Sequence, residues 1–287
     1  MLTTAKTLVD HAAAHGYAVG AFNVTDIAMA RGVVQAAQAQ HSPVILQLSQ
    51  KHAQNIVPLN LMAPVLLTLA EQASVPVAVH LDHGFDPAVC IQALHTGFSS
   101  VMYDGSAKPL AVNRLHTKRI VACAHALSAS VEAELGPMQR DSVDTTVDYQ
   151  ALSATYTDPV EAREFVADTG VDMLAVAFGT VHGVYSQTPH LNWQRLAALH
   201  EAVAVPLVVH GGSGLSDDDY RHMIKGGIAK INYFSNMAYH VANRIRDQLN
   251  ATVAQQPYVT AITEWEQAAV QAEVQARLQI FGSAGQA

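Results

Sequence analysis

The sequence predicts a closed (β/α)8 barrel with extra helices at its C-terminal end, and three observations predict it. Eight short runs rich in β-branched and aromatic residues recur along the 287 residues, most of them followed by a segment of helical apolar period, which is the signature of repeating βα units. Half of the residues are hydrophobic and only 14% are charged, the composition of one large buried core. No Gly-x-Gly-x-x-Gly opens the first helical segment, which disfavours an open, doubly wound sheet. The whole chain, 1–287, is therefore read as one α/β domain on the TIM-barrel plan.

The elements follow in order. A first strand is expected over 18–24 and a helix over 26–40, then a second strand over 43–49. The greasiest run, Leu59 to Ala70, is interrupted by Pro64 and is too short to span a bilayer. The third strand is placed at 75–83 with a helix over 87–95, the fourth at 99–105 with a helix over 112–126, and the fifth at 129–136. The step from there to the sixth strand is the longest, and its polar stretch 137–157 reads as a mobile loop over the active face. Asp158-Pro159 opens a helix over 159–168. The sixth strand is expected over 173–183, the seventh over 206–213 and the eighth over 229–235, with helices over 193–202, 217–226 and 237–248. The tail 257–287 carries an amphipathic helix over 262–278, which either caps the barrel or packs on a neighbouring subunit.

Lys and Arg total 16 against 24 Asp and Glu, a net charge of −8, so no basic face exists to hold a nucleic-acid backbone or an anionic membrane. Cys90 and Cys123 make neither a disulfide framework nor a metal spacing and are expected to be buried free thiols in a reducing compartment. The first residues lack a secretory pattern, and a cytoplasmic location is expected.

In such a barrel the C-terminal strand ends carry the chemistry. These ends are unusually polar: Asn23, Gln47 and Ser49, Asp82 and His83, Asp104, Glu132 and Glu134, His182, His210, then Asn232 and Ser235. Of 15 histidines, His83, His182 and His210 converge on one rim by topology. Three imidazoles with an open fourth position are the ligand set of a catalytic Zn²⁺. Asp82 either supports a ligand or acts as an independent acid/base group. Glu132 and Glu134 share a strand face and are costly there unless they hydrogen-bond or meet a cation, which makes Glu134 an outer or alternate metal ligand or a structural residue. His80 reads as structural. Glycine follows two of the candidate ligands, in His182-Gly183 and His210-Gly211-Gly212-Ser213-Gly214, and the second segment reads as a phosphate cradle.

These segments, with Gly20-Ala21-Phe22-Asn23-Val24, Leu81-Asp82-His83-Gly84, Tyr103-Asp104-Gly105-Ser106, Glu132-Ala133-Glu134-Leu135-Gly136 and Phe281-Gly282-Ser283-Ala284-Gly285, resemble class II ketose-bisphosphate aldolases of the fructose and tagatose type. The resemblance runs end to end. It implies a homo-oligomer, dimer or tetramer, that reversibly cleaves a ketose 1-phosphate or bisphosphate to dihydroxyacetone phosphate and an aldehyde. It implies Zn²⁺ on His83, His182 and His210, polarising the carbonyl and holding the enediolate, with Asp82 taking the C4 hydroxyl proton. Asp104 and Glu134 match alternate metal positions, Gly183, Gly211 and Ser213 the phosphate site, and Asn232 the residue that orients the enediolate. Asn23, Ser49 and Ser235 complete the expected substrate-facing set, and an assisting monovalent cation is left open.

The departures are informative. Ser142 stands where the family's loop glutamate is expected, with Asp141 or Asp144 as substitutes. Tyr185 is followed by Ser186 and Gln187 instead of a lysine, and Asn232-Tyr233-Phe234-Ser235 introduces aromatics. Gln256-Pro257-Tyr258 holds no cation where an arginine would reach the far phosphate, leaving Lys51 and Arg140 as candidates. The distal end of the ketose is accordingly left open between a phosphate and a hydroxyl, carboxylate or sulfonate. A catalytically impaired phosphosugar-binding paralogue and a barrel metal hydrolase are the competing readings. Retention of Asp82 with all three histidines argues against the first, and the lack of a His-x-His pair on strand one against the second.

Overall fold

The structure, a computed structural model, describes residues 1–136, 149–183, 185, 187–252 and 257–287. Eight parallel strands close into a barrel in sequence order. They are β1 Val19–Asn23, β2 Val44–Ser49, β3 Val77–Gly84, β4 Ser100–Tyr103, β5 Ser130–Leu135, β6 Met173–Val176, β7 Leu207–Val209 and β8 Ile228–Tyr233. Helix α1, Ala5–His15, precedes the barrel. The crossovers hold α2 Ile27–Ala39, α3 Gln50–Asn55, α4 Leu59–Gln72, α5 Pro87–His95, α6 Leu110–Ala126, α7 Tyr149–Ser153, α8 Pro159–Thr169, α9 Trp193–Ala202 and α10 Asp217–Lys225. The chain ends in α11 Ser235–Ala251 and α12 Val259–Ile280.

Helix starts follow side chains that satisfy the first free amides. The Asp26 carboxylate accepts from Met29 N, Asp86 and Asp158 each cap a helix whose next residue is proline, and Ser216 with Asp219 forms a reciprocal capping box. Two expected strands are shorter than their apolar runs. β6 stops at Val176 and β7 at Val209, so His182 and His210 lie beyond the strands rather than at their ends. Gly179 and Gly211, at φ 126° and 64°, turn the backbone out of the extended region just past those strands. Ser235 likewise opens α11 instead of ending β8.

Leu59 to Ala70, expected to be cut by Pro64, belongs to the continuous helix α4. Pro64 and Asn60, whose carbonyl it leaves without an amide partner one turn earlier, are both exposed, so the interrupted turn lies on the solvent side of the helix. Helices α1 and α3 were not expected. Of the two cysteines, Cys90 is buried as expected and Cys123 is exposed. Of the expected lid, residues 137–148, with Arg140, Asp141, Ser142 and Asp144, lie outside the described residues. The rest packs on the barrel: Leu152 and Thr157 are buried, and Thr157 Oγ1 accepts from Ala177 N at 2.8 Å.

The barrel interior changes character along its axis. At the N-terminal end Val19, Ala21, Ile45, Ala78, Met173, Ala175, Val208 and Ala229 cluster with Ala5, Leu8, Val9 and Ala12 of α1, which closes that mouth. Burial of Leu8 and Val9 is worth roughly 1.5–3 kcal/mol each, enough to hold a short helix across the opening. The two-residue period then carries polar side chains inward above this floor, as in Ala78, His80 and Asp82 of β3. On β8 a bulge resets the phase. Leu207 pairs with Ile228 but Val208 pairs with Lys230, leaving Ala229 as the extra residue and aligning Lys230 with Asn232.

The tail caps its own barrel. Helix α12 crosses α2 at Gly32, where a Cβ would lie 2.7 Å from the Gln267 carbonyl oxygen, and buries Ala269, Val270, Val274 and Leu278. Beyond it Phe281 packs edge-on to Tyr220, and Ser283 Oγ meets Ser42 Oγ at 2.9 Å.

Candidate active site

Asp82, buried at the C-terminal end of the barrel, accepts two amide donors. Asn23 Nδ2 donates to one carboxylate oxygen at 2.9 Å and Asn232 Nδ2 to the other at 3.0 Å. Each amide is itself oriented by a donor behind it: Gln47 Nε2 reaches Asn23 Oδ1 at 2.8 Å, and Lys230 Nζ reaches Asn232 Oδ1 at 2.6 Å. Lys230 is fully buried and also lies 2.8 Å from Glu132 Oε2, while Glu132 Oε1 is 2.7 Å from His210 Nε2. One continuous polar chain therefore links Gln47, Asn23, Asp82, Asn232, Lys230, Glu132 and His210. Burial opposes the charge on Asp82, but His83, His210, Lys230 and the Asn23 hydrogen bond outweigh it and hold the carboxyl well below its usual range. Asp82 is a carboxylate at neutral pH.

The three expected histidines meet beside it. His83 Nε2 and His182 Nε2 are 3.0 Å apart, and the His83 and His210 rings are 4.7 Å apart by centroid. One nitrogen from each of His83, His182 and His210 lies within 4.8 Å of the others. Two imidazole nitrogens on one tetrahedral zinc ion stand roughly 3.3 Å apart, so the spacing of His83 and His182 fits such an ion. The supporting contacts point the same way. His83 Nδ1 is held at 2.9 Å by Asp104 Oδ2, and Asp104 is fixed in turn by Ser106 Oγ at 2.6 Å, which leaves His83 Nε2 as the ligand atom.

His210 spends Nε2 on Glu132. Its Nδ1 lies 3.1 Å from Glu134 Oε2 outside hydrogen-bond geometry, and among the described residues both of these buried atoms lack a hydrogen-bond partner. Such a pair is costly without a cation between or beside them. Burial disfavours the charged form of His210, but Glu132 and Glu134 prevail and raise its pKa to about 10; on His83 Asp82 and Asp104 likewise overcome burial. The cluster is built to hold positive charge, whether proton or metal. A second group, His83, Asp104 and Glu134, also converges within 4.8 Å. His83 has φ 45°, a left-handed conformation that costs a non-glycine residue about 1–3 kcal/mol and is held here by its surroundings.

His80, read from sequence as structural, is fully buried and does not line the cleft: its Nδ1 meets Ser100 Oγ at 2.8 Å, and burial with the Lys230 charge lowers its pKa to about 3.

The glycine-rich turn sits against the imidazole cluster. A Cβ on Gly211 would lie 2.3 Å from the Val181 carbonyl oxygen, so only glycine lets the two histidine-bearing loops touch. Tyr185 Oη ties them further, accepting from Val181 N at 3.1 Å and donating to the Gly211 carbonyl at 2.8 Å. Ser213 Oγ accepts from Phe234 N at 3.0 Å. Asn23, Ser49, Asp82, His83, His182, Gly183, Gly211, Ser213, Asn232 and Ser235 all line one cleft of about 110 Å³. His210, Asp104 and Glu134 support the cluster without lining it. Lys51 reaches the cleft from α3, whereas Arg140 lies outside the described residues.

Sequence reasoning missed Lys230, and with it the link between Asp82 and Glu132. The signal was a lysine inside the apolar run Ile228-Ala229-Lys230-Ile231, two residues before a site asparagine. It also passed over His52, Phe85 and Phe234 as cleft walls.

The profile of the family described as "Fructose-bisphosphate aldolase class-II" matches residues 3–286. The chain is 36% identical over 316 residues to a fructose-bisphosphate aldolase of Thermus caldophilus, covering all of both chains. It is 36% identical over 251 residues to that of Staphylococcus aureus strain Mu50, covering 87% of this chain and 86% of the other. Among solved structures, the YdjI aldolase of Escherichia coli K12 superposes with a TM-score of 0.88 at 34% identity, with both chains fully covered. Among the described residues no helix is long and apolar enough to cross a membrane.

Proposed function

Because the chain belongs to the class II fructose-bisphosphate aldolase family, whose members are carbon-carbon lyases, we propose that it is a zinc-dependent aldolase that reversibly cleaves a ketose 1-phosphate or bisphosphate into dihydroxyacetone phosphate and an aldehyde. The observation that carries this reading is the pairing of a clamped carboxylate, Asp82, with three converging imidazoles at one cleft. His83, His182 and His210 would hold the ion, with Asp104 and Glu134 as an alternate placement. Bound zinc supplies Lewis acidity, polarising the ketose carbonyl.

The remaining steps belong to the chain's own groups. Asp82 accepts the proton of the C4 hydroxyl as the C3–C4 bond breaks; C4 becomes the aldehyde carbonyl and the bonding pair moves toward the ketose carbonyl. In condensation the same carboxyl returns the proton, and after cleavage dihydroxyacetone phosphate forms as C3 takes up a proton from a loop acid, Asp141 or Asp144 by the sequence reading, or from water. Asn23 and Asn232 occupy one side of each carboxylate oxygen and fix its direction, so its position is set before substrate arrives. Gly183, Gly211 and Ser213 present the edge of the cleft suited to the dihydroxyacetone phosphate group, and Ser49 and Ser235 complete its lining. The surplus of acidic side chains disfavours nucleic acid as a partner, and the family resemblance supports a small phosphorylated sugar as substrate of a cytoplasmic homo-oligomer.

A coupled assay for dihydroxyacetone phosphate release by zinc-loaded protein tests the proposal across fructose and tagatose bisphosphates, fructose 1-phosphate and a 6-sulfo analogue. Release that a chelator abolishes and zinc restores is the expected result. Binding of zinc and dihydroxyacetone phosphate without cleavage of any ketose would replace it with the phosphosugar-binding reading.

A further inference from the structure

One wall of the cleft belongs neither to the imidazole cluster nor to the glycine turn, although it packs against both. It is formed by Lys51 and His52 of α3, by Phe85 after β3 and by Phe234 after β8. The wall is pre-set. Ser49 Oγ accepts from His52 N at 3.1 Å, and Gln50 Oε1 accepts from Phe85 N at 2.7 Å and Asp86 N at 3.1 Å, which pins α3 to the β3 loop. The His52 ring then rests on Phe234 with centroids 4.8 Å apart, and Phe85 stacks along His83 at 5.8 Å.

Two features of this wall point to a ligand. Among the described residues His52 Nδ1 is buried without a hydrogen-bond partner, although it belongs to a residue that lines the cleft. Lys51 is the one lysine or arginine among the described residues lining the cleft, and it is exposed at its rim. Burial lowers the His52 pKa against the pull of Asp82, with Lys51 adding to the lowering, so the imidazole is a neutral hydrogen-bonding group and not a second cation. The wall therefore offers one full positive charge, one neutral donor or acceptor and two aromatic faces.

That inventory matches a particular charge. A phosphate dianion placed against the single ammonium of this wall would keep one negative charge without a partner there, at a Coulombic cost that low-dielectric walls increase. A monoanion is balanced. We propose that Lys51 and His52, braced by Phe234, select the aldehyde half of the substrate, and that they read a singly charged carboxylate or sulfonate at the end of a short aldehyde. This rests on the aldolase reading and names the substrate class for it.

The test runs zinc-loaded protein in the condensation direction, with dihydroxyacetone phosphate and a panel of aldehydes: a carboxylate-ended semialdehyde, sulfoacetaldehyde, glyceraldehyde 3-phosphate and neutral glyceraldehyde. One of the first two is expected to give a kcat/KM at least about tenfold above glyceraldehyde 3-phosphate. Lys51→Met should lower kcat/KM for that substrate by about 30-fold, and His52→Phe, which keeps the ring and removes its nitrogens, by about tenfold. Both should move neutral glyceraldehyde, and the KM for dihydroxyacetone phosphate, by less than about threefold. The carboxylate and sulfonate arms identify which monoanion is used. Preference for glyceraldehyde 3-phosphate, or an equal loss on every aldehyde and on dihydroxyacetone phosphate, would overturn the inference while leaving the aldolase intact. Failure of the wild-type protein to condense any aldehyde overturns the aldolase reading itself, a result of a different kind.

Discussion

Lys230 shows how much one buried charge organises. Its ammonium, fully enclosed, serves Asn232 at 2.6 Å and Glu132 at 2.8 Å, and through them Asp82 and His210. Removing it leaves the Glu132 carboxylate short of its strongest partner and releases the amide that holds Asp82. Lys230→Met is therefore expected to destabilise the fold by about 3–5 kcal/mol, the scale of breaking one partner out of a buried pair, as measured by urea unfolding. The Asp82 and histidine positions were legible because strand ends of a parallel barrel are where polar residues stand out. Lys230 was not, because its inward direction depends on the Ala229 bulge, and an isolated lysine in an apolar run carries no mark of which way it faces. Nor did the sequence mark Gly179 and Gly211 as the points where β6 and β7 give way to the loops that carry His182 and His210.

At the scale of elements, the contact between α12 and α2 is the broadest of those that tie the tail to the barrel. Its polar edge pairs Glu266 with Asp26, the residue that caps α2 beside the end of β1. Burial, with the Asp26 charge adding to it, raises the Glu266 pKa to about 7. A carboxyl whose folded pKa exceeds its unfolded value of about 4.5 gives stability that is full below that value and is lost as pH rises through 7. Glu266→Gln, which keeps a donor for Asp26 at every pH, should raise Tm by about 2 °C at pH 8 and change it little at pH 5 in a pH series of thermal melts. The helices expected over 26–40, 87–95, 159–168 and 217–226 carry side-chain caps at Asp26, Asp86, Asp158 and Ser216. Helix α4 was obscured by Pro64, whose cost depends on exposure, a property that sequence does not carry.

For the molecule as a whole, the upper barrel gathers Asp82, Asp104, Glu132 and Glu134 around three imidazoles, a concentration of charge that a divalent ion would relieve. An ion bound only by the folded chain stabilises it by mass action, by about 2.7 kcal/mol at a free concentration one hundred times its Kd. Zinc added to chelator-treated protein should thus raise Tm by about 5–10 °C, and a His182→Ala variant should lose most of that rise. Equal melting with and without zinc would contradict the metal site. The closed barrel itself was legible from eight alternating runs. The floor was not, since α1 is short and its apolar side, Ala5, Leu8, Val9 and Ala12, gains meaning only once the strands form a ring for it to cover. That floor gives the barrel the topology of a cup. Among the described residues the imidazoles are therefore approached from the rim that Lys51 shares, and under the proposed aldolase reading the fragment seated deeper would be the first to arrive and the last to depart.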